Sequence, residues 1–305
     1  MDSTQLRYFL RIFETGSILA ASESLGISQP SLSKRLRRLE DELGVTLFDR
    51  TTHGVIPTQF GDALAKHAKL MQSEFDSIRA EMTELRNASI GKVHFGASPV
   101  VVGGLLPTLT AELWHTHPNF RYSIREEIPD RLIAAVREGG LELALCTAEV
   151  TDEDSDLVME PLFYDHHVIA AGVAHPLSSK DRIELDSLSA FPWILTPNSG
   201  VVRRWFDSKF VLEGLTPPLP VVETPSILHI TRVLDQGEFL SFMSLNEIQN
   251  HIRSGRIHTL NAPDFVMRRT ISAVYRARGS ISPGARLIVD RAVQIGRCMT
   301  GSNRQ

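Results

Sequence analysis

The chain is poor in cysteine. Its 305 residues include only Cys146 and Cys298, far apart in sequence. Two such residues make no disulfide framework, and the pattern fits a reducing compartment. Long hydrophobic runs are missing too. No stretch approaches the roughly 20 apolar residues of a bilayer span, so no membrane partner is expected. The N-terminus opens on Asp2 and a polar amphipathic segment, without the basic-then-apolar order of an export leader. The expected location is the cytoplasm. No phosphate-cradling glycine loop and no nucleophile elbow occur, and Gly103-Gly104 is a helix entry at most. No catalytic residues and no cofactor are expected. The pairs His115/His117 and His166/His167 do not by themselves present a tetrahedral metal site, so no metal is expected either. Finally, net positive charge is absent: 32 basic against 36 acidic residues give −4. A nucleic-acid partner therefore has to be argued from local clustering.

Residues 34–38 supply that cluster, with Lys34, Arg35, Arg37 and Arg38 and no acid; Glu40, Asp41 and Glu42 close it off. The cations sit in a two-helix pattern. Ala20, Ala21 and Ser22 are small enough for a close helix crossing, and Gly26 permits a tight turn. Ser28 is placed to cap the next helix, with Pro30 in its first turn. Leu32, Leu36 and Leu39 recur at helical spacing and point inward. Gln29, Ser31, Ser33 and the four cations are left outside. Such a face suits the major groove of double-stranded DNA, with short polar groups for base edges and cations for phosphates. The bland alternative is a solvated basic helix face.

Leu6, Phe9, Leu10 and Phe13 mark a third helix that ends at Gly16. Residues 43–58 place apolar positions on both sides of a polar tip with Gly54, the pattern of a two-stranded wing. Arg50 and His53 are its cations; an ion pair of Arg50 with Asp49 or Glu42 is the structural alternative. Beyond the wing, Leu64, Ala68, Met71, Phe75, Ile78, Met82 and Leu85 step alternately by four and three. A repeat of 3.5 residues is the seam of a coiled coil and predicts a homodimer. Residues 87–91 break the helix.

From residue 92 strands and helices alternate. Strands are predicted at 93–97, 122–126, 142–146, 168–172, 193–196, 221–223, 239–243 and 271–275. Helices are predicted at 104–115, 130–138, 201–212, 226–236, 245–254 and 283–297. Alternation of this kind predicts an α/β domain with a largely parallel sheet, most simply as two lobes. Ligands of such sheets bind beyond the carboxyl ends of the strands, where helix N-termini meet them. The loops found there contribute Ser98, Pro99 and Val100; Thr147; Thr196, Asn198, Ser199 and Gly200; and Thr224 with Ser226. This set suits a small anion, a carboxylate or sulfonate, with Arg203 and Arg204 adding charge. Each hydroxyl has a plainer reading as a helix cap. Cys146 reads as a small apolar residue at a strand end.

The reading helix, wing and long helix together resemble the LysR-type transcriptional regulators. The resemblance is carried by Ala20-Ala21, Leu25, residues 28–33 (Ser-Gln-Pro-Ser-Leu-Ser), Leu36, Leu39, Glu40, Leu43-Gly44, Leu47-Phe48, Arg50 and Pro57-Thr58. It implies a winged helix-turn-helix over 1–58, a coiled-coil linker helix over 59–87 and a hinge over 88–92. An effector domain over 93–300 would then resemble type 2 periplasmic binding proteins. Its lobe I would hold 93–163 plus 268–300 and its lobe II 164–267, with two strands crossing between them. It also implies a homotetramer, an effector in the cleft, and control through DNA bending or RNA polymerase. Gln29, Pro30 and Ser33 carry over as base-edge readers, and Ser31, Lys34, Arg35, Arg38 and Arg50 as phosphate contacts. Wings of this family often carry Arg or Lys near the tip; Thr52-His53 stands here and makes groove contact sensitive to pH. Two alternatives stay open. One is a cytoplasmic binding protein or enzyme with a helical dimerisation module. The other is a constitutive repressor with a vestigial cleft.

Overall fold

A computed structural model describes residues 1–52, 54–87, 92–148, 155–197, 200–277 and 281–302. His53, residues 88–91 of the expected hinge, Asn198, Ser199 and the side chain of Leu85 lie outside the described residues.

The chain opens with α1 (Ser3–Thr15), α2 (Ile18–Leu25) and α3 (Gln29–Leu43). Each start has a local cause. At α1 the Gln5 N–H donates to Asp2 Oδ1 at 2.8 Å and the Asp2 N–H donates to Gln5 Oε1 at 2.7 Å, a capping box. Ser17 caps α2 by accepting from the Ala20 N–H at 3.3 Å. Ser28 occupies the cap position of α3, but its hydroxyl makes no capping bond. The expected cap is thus positional only. Leu32, Leu36 and Leu39 are buried, and with Leu6, Phe9, Leu10, Ile12 and Ala21 they form one small core.

The wing pairs β1 (Phe48–Thr51) antiparallel with β2 (Gly54–Pro57). Gly54 has φ 142°, and a Cβ there would sit 2.3 Å from the Gly16 carbonyl oxygen. The neighbouring Val55 N–H donates to that same oxygen at 2.8 Å. Only glycine lets the wing close onto the end of α1. Then α4 (Gln59–Asn87) begins under this core, burying Ala65 and Ala68, and continues past it. Met71, Phe75, Ile78 and Met82 on its far stretch are exposed.

The second part begins with β3 (Lys92–Ala97), α5 (Pro99–Gly104), α6 (Leu106–Thr116), β4 (Arg121–Glu126), α7 (Pro129–Arg137) and β5 (Leu143–Thr147). A 16-residue strand, β6 (Leu157–Gly172), follows. Next come α8 (Leu185–Leu188), β7 (Ile194–Leu195), α9 (Val201–Leu212), β8 (Val222–Glu223), α10 (Ile227–Leu234), β9 (Leu240–Ser244) and α11 (Leu245–Arg253). The chain then forms β10 (Ile257–Thr259), β11 (Met267–Arg276) and α12 (Pro283–Ser302). One sheet runs in the order β10-β6-β11-β5-β3-β4, with β9 also on β6. The separate pair β7 and β8 is parallel.

The sheet is mixed, not largely parallel. β3 is parallel to β4 and β5, but β11 runs antiparallel to β5 and β6, and β9 and β10 antiparallel to β6. The antiparallel pairs centre on β6 and β11, two long strands that traverse both lobes. Each lobe is covered on both faces. In the first, α5, α6 and α12 bury Phe95, Leu145 and Ile271, and α7 covers Ala144, Cys146 and Val274 behind. In the second, α9 packs Phe206 and Phe210 against Trp193, Phe242 and Phe265, and α10 and α11 cover Ala170 and Met243.

Candidate nucleic-acid interface and ligand cleft

On α3 the buried leucines turn the rest of the helix outward. Gln29, Pro30, Lys34, Arg35, Arg37 and Arg38 are exposed, and Ser31 and Ser33 are half-buried. Arg50 of the wing is exposed too. None of these cations has a carboxylate within ion-pair distance among the described residues. Arg35 instead lies over the Tyr8 ring, 5.2 Å from its centroid. The nearby acids are used elsewhere. Glu40 accepts from the Leu47 N–H at 2.8 Å, and Glu42 pairs with the N-terminal amine. That amine holds the Glu42 carboxyl below its ordinary range. The ion-pair alternative for Arg50 is therefore not realised. A cationic, polar helix face with a wing beside it is the geometry of groove insertion.

The expected effector residues divide into two groups. Ser98 ends β3 and heads α5; its N–H donates to the Leu145 carbonyl at 3.0 Å. Its hydroxyl is buried and has no hydrogen-bond partner among the described residues, and the same holds for the Thr147 hydroxyl at the end of β5. Pro99 is half-buried beside them, whereas Val100 is 3% exposed and belongs to the core. In the second lobe Thr196 is half-buried and Gly200 is the cap residue of α9. Ser226 caps α10, and Thr224 closes a local turn just before it. The Thr224 Oγ1 accepts from the Ser226 N–H at 3.2 Å, and the Ser226 Oγ accepts from the His229 N–H at 3.2 Å. Arg203 is 6% exposed and spends its charge on Asp207 at 3.0 Å and Glu223 at 2.8 Å. It adds none to the cleft.

A buried polar cluster on the crossing strands was not foreseen from sequence. Asp165 on β6 is fully buried and pairs across the sheet with Arg269 on β11. Its carboxylate accepts from Ser244 Oγ at 2.6 Å, Asn246 Nδ2 at 2.9 Å and Arg269 Nη2 at 3.0 Å, and His167 Nδ1 lies 3.5 Å away. Burial alone would raise this carboxyl, but His167, Arg269 and Ser244 outweigh it and hold it well below the usual range. Burial and the Arg269 charge depress His167 to about 4, so it is neutral near pH 7. Burial pushes Glu247, at the start of α11, up to about 7, helped by the charges of Asp165 and Glu126. The available signal was Asp165 inside an otherwise apolar run, facing the Arg268-Arg269 pair far along the chain.

Two family models match. That of the bacterial regulatory helix-turn-helix protein, lysR family, covers residues 3–62, and that of the LysR substrate binding domain covers residues 86–295. The chain belongs to the LysR family of transcriptional regulators. The regulator is 28% identical over 284 residues to the HTH-type transcriptional regulator GalR of Pseudomonas putida, spanning 93% of this chain and 71% of that protein. It is 27% identical over 288 residues to the SDS degradation transcriptional activation protein of a Pseudomonas species, covering 93% of each. Among solved structures, a full-length OxyR variant from Pseudomonas aeruginosa aligns with a TM-score of 0.70 at 25% identity, over 97% of this chain and 95% of that one. The fold is thus a winged helix-turn-helix joined to a two-lobed effector-binding domain. The family is one of regulators and not of enzymes. Among the described residues, no helix is long and apolar enough to cross a membrane.

Proposed function

We propose that two copies of this regulator zip along α4 and place their α3 helices in successive major grooves of a two-fold symmetric DNA site. The observation that carries this reading is the outward face of α3, polar at its N-terminal end and densely cationic after it, with no carboxylate within ion-pair distance among the described residues. In this reading Gln29, Pro30 and Ser33 meet base edges. Ser31, Lys34, Arg35, Arg38 and Arg50, with His53, meet phosphates. The zip is supported by Met71, Phe75, Ile78 and Met82, an apolar stripe left without cover on α4. A further pairing of effector domains into a tetramer is supported by Trp114, 64% exposed on α6, and Leu228, 68% exposed on α10.

A small carboxylate or sulfonate between the lobes then changes DNA bending or contact with RNA polymerase, in the cytoplasm where the DNA lies. Ser98 and Thr147 support this site, because hydroxyls buried without a partner are rare in native structures. In this reading Thr196 and the start of α9 complete the site from the second lobe. The relatives do not fix the effector, since their names range from SDS degradation to hydrogen peroxide induction. Peroxide sensing by Cys146 runs against its chemistry. Burial pushes that thiol up to about 12, and the thiolate is the reactive form.

The test is a titration of DNA from upstream of the gene, and of random duplex, at two salt concentrations. Steep salt dependence on both with tighter binding to the upstream fragment is expected. A monomer indifferent to every fragment at low salt would end the proposal.

A further inference from the structure

Four buried polar atoms on one face of the sheet have no hydrogen-bond partner among the described residues: Ser98 Oγ, Thr147 Oγ1, His167 Nδ1 and Arg269 Nε. Register puts them together. Thr147 pairs with Ile271, and Ile271 pairs with Phe163. Strand alternation then sets Arg269 and Asp165, each two residues further on, and His167 after them, on that same face. Ser98 joins from β3, bonded to the Leu145 carbonyl beside Thr147. Three of the four, the two hydroxyls and Arg269 Nε, donate whichever tautomer His167 adopts. Each buried donor left unmade costs about 1–3 kcal/mol, so three on one face point to a bound acceptor.

We propose that Arg269 is the anion anchor of the cleft, its Nε–H joining the Ser98 and Thr147 hydroxyls to hold the carboxylate or sulfonate head group of the effector. The inference rests on the cleft reading above. It moves the charge from Arg203, which two carboxylates neutralise, to a guanidinium that keeps one edge unpartnered. Asp165 takes the Nη2 edge and fixes the plane of the group, and Ser244 and Asn246 complete the Asp165 shell. A carboxylate presents two oxygens to three donors. A sulfonate presents three oxygens to the same three donors, so the donor set fits an anion of either kind. The carboxylates that face Arg269 do not oppose the assignment. Asp165 is already compensated, Glu247 is close to neutral at pH 7, and Glu126 acts only at a distance.

Crystals of the full-length protein are soaked in acetate, the head group alone, and in parallel in acetamide and methanesulfonate. Acetate and methanesulfonate oxygens are expected on Arg269 Nε and the two hydroxyls, with no acetamide there. Acetate at the start of α9 away from Arg269, no acetate in the cleft, or equal occupancy by acetamide overturns the inference. In solution, acetate-induced thermal stabilisation is compared with that of Arg269→Lys, which keeps a charge beside Asp165 but lacks the Nε donor. Its acetate affinity is expected to fall roughly tenfold. The paired change Asp165→Asn with Arg269→Gln, neutral as before, is the second variant in case a broken ion pair unfolds the domain. An unchanged acetate response in either variant overturns the inference. Promoter binding is read on the same preparations. Lost acetate response with DNA binding intact supports Arg269 alone, whereas wild-type protein that binds no promoter fragment strikes at the regulator reading itself.

Discussion

The regulator uses arginine in two opposite ways. On α3, Arg35 and Arg38 stand in solvent with no carboxylate within ion-pair distance among the described residues. On β11, Arg269 is 11% exposed and bonded to an Asp165 with no solvent access. The first arrangement keeps charge available for a partner and couples it to salt. The second holds charge in a fixed geometry, where removing one member leaves the other uncompensated. Equal changes at the two places should therefore move different observables.

The sharpest contrast is Arg269→Ala against Arg35→Ala. Arg269→Ala strands the buried Asp165 carboxylate and is expected to cost about 3–5 kcal/mol of stability. Arg35→Ala loses only its contact with Tyr8, about 0.5–1 kcal/mol. Chemical denaturation reads both; equal midpoints would erase the comparison.

Next comes pH. Glu247 titrates from 4.5 when unfolded to about 7 when folded. Its neutral form is favoured in the native state, so the contribution is complete below pH 4.5 and is lost as pH rises through 7, roughly 3 kcal/mol in all. His167 runs the other way, from 6.5 to about 4. It contributes above pH 6.5 and loses that contribution as pH falls towards 4. Between pH 4.5 and 6.5 the two slopes oppose, and wild-type stability should be nearly level there. Glu247→Gln should uncover the His167 slope, a fall of about 1.4 kcal/mol per pH unit on acidification. A level profile in that variant would show that His167 does not resist protonation.

On the exposed side, Gln29→Ala should remove about 1–3 kcal/mol of discrimination between correct and altered sites while leaving binding to random duplex unchanged. Arg35→Ala should weaken all sequences alike and reduce the salt slope by about one. Equal losses on specific and random DNA for Gln29→Ala would remove it from base reading.

The same contrast explains what could be read from sequence. The α3 face was legible because its signals are local. Leu32, Leu36 and Leu39 fix which side is buried, and Gly26 and Gly44 fix the ends. The cleft is assembled from residues far apart. Asp165 and Arg269 meet across 104 positions, and the strand carrying Asp165 was missed over 157–167. Pro161 sits where the register with β11 shifts, and Asp165 and His166-His167 break the apolar run that predicts a strand. α5 was missed because Pro99, three valines and two glycines have weak helix propensity. Nor can sequence tell a capping hydroxyl from a ligand-binding one. Ser226 proved to be a cap and Thr224 a turn former, while Ser98, also at a helix start, makes no capping bond.

The smallest expected effect lies where the two regions touch. Arg276, at the end of β11 away from Arg269, donates to the Val136 carbonyl at 3.1 Å, the Leu141 carbonyl at 3.3 Å and Ser73 Oγ of α4 at 3.3 Å. Lys69 reaches Glu138 at 3.5 Å alongside. A Cβ on Gly139 would stand 3.0 Å from the Leu70 Cα, so the backbones are already close. One strand thus joins the buried arginine of the cleft to α4, the long helix that follows the DNA-reading unit. Ser73→Ala removes the bond from Arg276, about 0.5–1.5 kcal/mol. Global stability should barely change, but hydrogen exchange of α7 and the adjoining α4 turns should quicken together. If α7 alone quickened, the two regions would be neighbours without coupling, and the effector would have to signal by another route.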